Sequence, residues 1–315
     1  LFALPLLSQR KNAAILVFPG VQIIDYTGPY ETFGQAGFNV FTVGADTNIL
    51  VTSMQMKMAP AYSFINAPQA DVLVIPGGAI PHQLEKEDPV VEWIRKQYEK
   101  SEWVLTVCNG TFVLGAGGYL DGKRATTNSG MVDHLHMAGN NITPVLDERF
   151  VRDGKIVTTG GLSAGIDGAL FIISQMYSKA RAAEIANQME YDWDPARGYA
   201  RGKLADMILS DIMDFNPPLR NKNMLVYEGN ESWWKSEFII KRMETPAEFY
   251  RQIIQMTKSV YPAVWTKKKE EIKDGTIRSE WRVTDMMKAY WGCRILVEPA
   301  PEAGLIHVQF DVAKE

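Results

Sequence analysis

Between residues 12 and 198, short apolar runs recur, each closed by glycine, proline or a polar break and followed by helix-like spacing. The runs are "AAILVFPG" (13–20), "NVFTVGA" (39–45), "ADVLVIPGG" (70–78), "WVLTVC" (103–108) and "KIVTTGG" (155–161). Most do not alternate, as expected of strands whose two faces are both covered by helices. Helix signals lie between them. Asp88-Pro89 sets an N-cap before a proline at the first helical position, and Val91, Ile94 and Tyr98 then mark one apolar face. Ser163 is placed to cap a helix carrying Ile166, Leu170 and Ile173. Residues 178–213 read as further helix. The alternation predicts an α/β fold, a flavodoxin-like sandwich with a mainly parallel sheet. Gly-rich strand ends gather backbone N–H groups at the carboxyl edge, where open α/β sheets bind ligands.

The pattern changes after "DFNPPLRNKN" (214–223), whose two prolines break every periodicity. This places one domain at 12–213, a linker at 214–221 and a smaller α+β domain at 222–315. In "TIRSEWRV" (276–283), Ile277, Trp281 and Val283 fall on one side and charged residues on the other. That is a half-exposed antiparallel strand, and Asp274-Gly275 before it is a hairpin turn signal. "LIHVQFDV" (305–312) alternates in the same way, and "CRILVE" (293–298) is its expected neighbour. Thr245 and Glu248 have capping-box spacing ahead of Phe249, Ile253, Met256 and Val260 on one helix face.

Charge and composition remove several functions. The 315 residues carry a net charge of -4 at pI about 5.7, so no basic face invites nucleic acid. No apolar run reaches the roughly 20 residues needed to span a bilayer. The opening "LFALPLLSQR" is apolar through Leu7. The default compartment is cytoplasmic, with export as the alternative. Two cysteines build neither a disulfide framework nor a four-thiolate metal site. A Cys108–Cys293 bond is formally open, although the two fall in different predicted domains.

Cys108 is the candidate for chemistry. In "TVCNGTF" (106–112) it ends a strand and precedes a helix. A nucleophile elbow needs small residues two places before and after, and here these are Thr106 and Gly110. The helix N-terminus that follows would favour thiolate and lower the thiol pKa. The other reading is a buried structural cysteine. His134 and His136 diverge on a helix, which argues against a metal pair. His82 belongs to a surface loop or lines the pocket. Trp233 and Trp234 read as core or interface aromatics.

"VCNGTFVLGAGGYLDGKRATTNSG", "FPGVQIIDYTGPYETF", "VIPGG" and "GGLSAGIDGAL" together resemble the ThiJ/PfpI superfamily, with its class I glutamine amidotransferase-like fold. The resemblance spans roughly residues 12–195 and is nearest to the isonitrile hydratase branch. It implies that Cys108 is the nucleophile and Asp25 its proton-transferring partner. Gly78, Ala79 and Asn109 would then receive developing negative charge. The implied function is a cysteine-dependent hydratase or hydrolase acting on a small electrophilic carbon, needing no metal and no cofactor, in a homodimer. The alternative is a non-catalytic ligand-sensing or redox-responsive protein. Related regulators carry helix-turn-helix units after such a domain, whereas this tail reads as alternating strands. Two positions depart from the branch. Asn109 stands where hydratases tend to carry Thr and the protease branch His. Asn128 and Ser129 stand where the pattern "ATTHW" has His and Trp.

Overall fold

In a computed structural model the chain divides into two compact units, Leu1–Arg197 and Gly198–Glu315. The structure describes residues 10–80, 84–85, 87–145, 148–196, 223–229, 232–260, 264–284 and 288–315, without the side chains of 133 and 256–260. The expected linker at 214–221 and His82 lie outside the described residues, as do the side chains of Met256 and Val260.

The first unit is built on seven strands: β1 (Asn12–Leu16), β2 (Asn39–Gly44), β3 (Tyr62–Ser63), β4 (Val72–Ile75), β5 (Trp103–Val107), β6 (Phe150–Asp153) and β7 (Ile156–Thr159). Their order is β6-β7-β5-β4-β1-β2-β3, parallel throughout except for the β6–β7 hairpin. Five helices cover the sheet: α1 (Ile23–Gln35), α2 (Pro89–Lys100), α3 (Gly110–Ala116), α4 (Ala164–Met176) and α5 (Lys179–Gln188). Successive strand residues serve opposite faces. Ala13 and Ile15 pack with Phe33, Leu170 and Ile185 from α1, α4 and α5, whereas Ala14 and Leu16 pack with Ile94 and Leu114 from α2 and α3. Burial on both faces is the physical source of the continuous apolar runs.

Two local expectations are corrected, and one helix is added to them. Residues 23–35, given no element from the sequence, form α1 with Pro29 inside it. Gly28 admits α4 closely, since a Cβ there would sit 3.0 Å from Ile166. Within the stretch expected to be helical, 178–213, α5 ends at Gln188, and residues 197–213 lie outside the described residues. Glu190 takes a positive φ of 50°, turning Tyr191 back so that its hydroxyl meets Asp167 at 2.9 Å. Ser163 stands at the α4 N-cap in helical geometry and makes no side-chain cap. Its hydroxyl accepts a hydrogen bond from Arg149 Nη2 instead, at 3.0 Å.

The second unit is a six-stranded antiparallel sheet with a helix on one face. Its strands are β8 (Asn223–Gly229), β9 (Trp233–Lys241), β10 (Val264–Lys273), β11 (Thr276–Thr284), β12 (Tyr290–Pro299) and β13 (Leu305–Lys314), in the order β8-β9-β13-β12-β11-β10. Helix α6 (Pro246–Val260) lays Phe249 and Ile253 on Ile277, Trp281, Ile295 and Phe310. The capping box forms: Glu248 N–H donates to Thr245 Oγ1 at 3.3 Å, and Thr245 N–H donates to Glu248 Oε2 at 2.9 Å. Asp274 and Gly275 both take positive φ in the β10–β11 turn, as a type I′ hairpin requires. Trp281 and Trp291 are core residues, while Trp233 is 40% exposed. Among the described residues no helix is long and apolar enough to cross a membrane.

Candidate active site

Cys108 follows the last residue of β5 and is itself in a left-handed conformation, φ 58°. A non-glycine residue there costs about 1–3 kcal/mol, which the surroundings must over-determine. They do so through hydrogen bonds on both sides of the turn. Cys108 N–H donates to Gly160 O at 3.0 Å, and Thr127 Oγ1 donates to Cys108 O at 2.6 Å. Thr106 and Thr111, two before and three after the cysteine, share a hydroxyl hydrogen bond of 2.8 Å. Gly110 is sterically required, since a Cβ there would lie 2.2 Å from Ile75 O. Sequence spacing found the elbow. It did not find the hydrogen bonds of the threonines beneath it, whose partners come from β5, β7 and the 126–127 segment.

Asp25 reaches the elbow from the first turn of α1 and has no exposed surface. Its Oδ1 accepts the N–H of Leu162 at 3.0 Å and its Oδ2 accepts the N–H of Gly77 at 3.2 Å. Leu162 also has a positive φ, 58°. Asp25 and Cys108 stand on either side of Gly77, where a Cβ would lie 2.8 Å from Cys108 Cβ and 2.9 Å from Asp25 Oδ2, and each group bears on the other's proton. Burial pushes the Asp25 carboxyl up to about 6, against the pull of the Leu162 and Gly77 amides and of the thiol. Burial also pushes the Cys108 thiol up to about 12, and the Asp25 charge adds to it. The Asn109 backbone N–H and the Asn128 side chain oppose that rise.

This corrects the expected acidic thiol. The helix behind the elbow has seven residues, and its contribution is outweighed by loss of solvent and by a facing carboxylate. Of the two groups, Asp25 is the first to lose its proton as pH rises.

The structure brings Cys108 and Asp25 together and rearranges the expected anion-binding groups. Gly78 N–H donates to Asn109 Oδ1 at 2.8 Å, and Ala79 N–H donates to Gly20 O at 3.0 Å. Neither amide is left for an oxyanion. Ala79 instead borders an apolar cavity of about 610 Å³ with Phe18, Leu50 and Ile80, which Cys108 and Asp25 do not line. Asn109 acts as a clamp, because its Nδ2 also donates to Gly78 O at 2.9 Å. The group facing the sulfur is Asn128, a position noted in the sequence only as a departure. Gly161 lies close as well, since a Cβ there would be 3.5 Å from Sγ. His134 and His136 are exposed on a short 3₁₀ helix, their rings 6.4 Å apart. No group of three or more metal-ligating side chains occurs among the described residues. Cys108 and Cys293 are both free thiols.

Known proteins resemble the chain over its first unit. The chain is 38% identical over 177 residues to isonitrile hydratase of Pseudomonas putida, covering 56% of this chain and 76% of that one. It is 26% identical over 133 residues to deglycase PfpI of Pyrococcus furiosus, covering 42% and 78% of the two chains. The crystal structure of a ThiJ/PfpI family protein from Pseudomonas syringae superposes with a TM-score of 0.52 at 25% identity, over 62% of this chain and 84% of that one. Residues 11–175 match the DJ-1/PfpI family, and with the elbow, the mainly parallel sheet and these relatives in place, the chain belongs to that family.

Proposed function

We propose that the first unit is a cysteine-dependent hydratase for a small electrophilic carbon, with an isonitrile as the substrate class. The observation that carries this reading is the Cys108–Asp25 pair. A thiol on a left-handed elbow stands beside a fully buried carboxylate held by two backbone amides. Asp25 ionises well below the thiol, so it is placed as general base and the thiolate forms during attack.

The steps balance. Sulfur attacks the terminal carbon of R–N≡C and forms a C–S bond. The thiol proton passes through Asp25 to that carbon, giving the thioimidate R–N=CH–S–Cys108. Water then adds across C=N, its oxygen to carbon and a proton to nitrogen, with Asp25 relaying the proton. Cleavage of the C–S bond returns electrons and the hydroxyl proton to sulfur and releases R–NH–CHO. Asn128 and the Asn109 N–H face the sulfur and stabilise its charge as it leaves.

In this reading no cofactor takes part, and residues 222–315 are an accessory module without a catalytic residue. A homodimer is the proposed assembly. The test is mass spectrometry of the protein mixed with an alkyl isonitrile. A Cys108 adduct equal in mass to one substrate, with N-alkylformamide accumulating, fits the proposal. Formamide production that survives Cys108→Ala contradicts it.

A further inference from the structure

Arg149 precedes β6, and no step of the proposed reaction uses it. Its side chain is 12% exposed and that of its partner Asp167 6%. Arg149 Nε donates to Asp167 Oδ2 at 2.7 Å, and Nη2 lies 2.5 Å from the same oxygen. Nη2 also donates to Ser163 Oγ at 3.0 Å and to the Tyr191 hydroxyl at 3.5 Å. Tyr191 in turn donates to Asp167 Oδ2. A buried ion pair adds little stability over a well-packed apolar pair, so one with this many directed contacts invites a geometric explanation.

The cluster gathers on the chain that follows Leu162. Ser163 follows Leu162 in the chain, and Asp167 lies in the first turn of the helix that begins there. The Arg149 backbone acts on the other side. Its carbonyl accepts Gly160 N–H at 2.9 Å, and Gly160 O accepts the N–H of Cys108 at 3.0 Å. Between these anchors Leu162 holds φ 58°. The left-handed form is strained for a residue that carries a Cβ. The Leu162 side chain is 49% exposed, so its own packing does little to hold the turn. The surrounding hydrogen bonds must.

We infer that Arg149 is a positioning residue: through Ser163, Asp167 and Tyr191 it holds Leu162 in its left-handed turn, with the Leu162 N–H fixed on Asp25. The inference rests on reading Cys108 and Asp25 as the reacting pair. Asp25 is faced by the Cys108 thiol and by the Leu162 and Gly77 amides. Cys108 is faced by Asp25, the Asn109 amide and Asn128. Among the amides, Leu162 contributes the largest pull on the Asp25 proton.

The experiment follows alkylation of Cys108 by iodoacetamide against pH, read on its own peptide so that Cys293 does not count. It needs no substrate. In the wild type the rate rises with pH and flattens near 6, where Asp25 ionises and its charge begins to hold the thiol proton. In Arg149→Met the Leu162 amide is no longer held on Asp25, and the break moves up by about one pH unit. Arg149→Lys restores part of the shift. Ser163→Ala and Tyr191→Phe move it the same way by less, and they carry the test if Arg149→Met does not fold. A folded variant with lowered melting temperature and an unmoved break makes Arg149 merely structural and overturns the inference. A wild type without the break overturns the Cys108–Asp25 reading first, and this inference with it.

Discussion

Asn109 and Gly78 hold each other by two hydrogen bonds in opposite directions. Gly78 N–H donates to Asn109 Oδ1 at 2.8 Å, and Asn109 Nδ2 donates to Gly78 O at 2.9 Å. The residue after the nucleophile is thereby stapled to the glycine turn that ends β4. Asn109→Ala removes both bonds and leaves two backbone groups without them. Its expected cost is about 2 kcal/mol, read as a lower melting temperature. A variant that melts with the wild type shows that the staple contributes nothing.

Gly77 sits where the staple and the reacting pair meet. A Cβ there would lie 2.3 Å from Asn109 Oδ1, 2.8 Å from Cys108 Cβ and 2.9 Å from Asp25 Oδ2. Gly77→Ala must displace the staple or the reacting pair, at a cost of about 1–3 kcal/mol. The expected result is loss of isonitrile turnover greater than the loss of folded protein. Full activity in this variant contradicts the packing described.

The buried Asp25 also leaves a mark on stability. Its proton affinity is higher in the folded chain, with a pKa of about 6 against an ordinary 3.8. Between those values the folded state binds more protons than the unfolded state, so stability falls as pH rises. The melting temperature of the wild type relative to Asp25→Asn is therefore expected to decline from pH 4 to pH 6 and then level off. A difference that is flat with pH, or that rises, contradicts the burial argument.

The second unit supplies a separate check. Thr245→Ala removes the hydroxyl that caps α6 and costs about 1 kcal/mol. It is expected to lower the melting temperature while Cys108 alkylation stays unchanged. A deletion that stops at Asn216 is likewise expected to leave Cys108 reactivity intact. Loss of that reactivity in soluble, folded protein assigns residues 222–315 a part in the site.

The sequence showed most where a pattern has one physical cause. Apolar runs closed by Gly or Pro located β1, β2, β4, β5 and β7, because both faces of that sheet are covered. Alternation located β11 and β13, and the Thr245–Glu248 spacing located α6. "CRILVE" located β12 beside β13, whereas β8, β9 and β10 were missed. β10 reads "VWTKKKEEIK", an edge strand whose charges suppress the strand signal and guard the edge. Helix α1 was hidden by Gly28-Pro29, residues that ordinarily break helices. At the site, Cys108 and Asp25 were found from spacing and resemblance. The partners of the Gly78 and Ala79 amides were not, because residue type does not say which carbonyl or side chain a backbone amide meets. Desolvation of the thiol was missed for a similar reason. It depends on what encloses the sulfur, and those groups come from four separate segments of chain.

The central claim is that Asp25 moves the proton that Cys108 must lose and the substrate carbon must gain. The most direct measurement is kcat/KM for conversion of an alkyl isonitrile to its formamide at neutral pH, in the wild type and in Asp25→Asn. The account predicts turnover in the wild type and a loss of about 10²–10⁴-fold in the variant, the range for a missing acid–base group, with both proteins folded. Equal turnover in folded Asp25→Asn contradicts it.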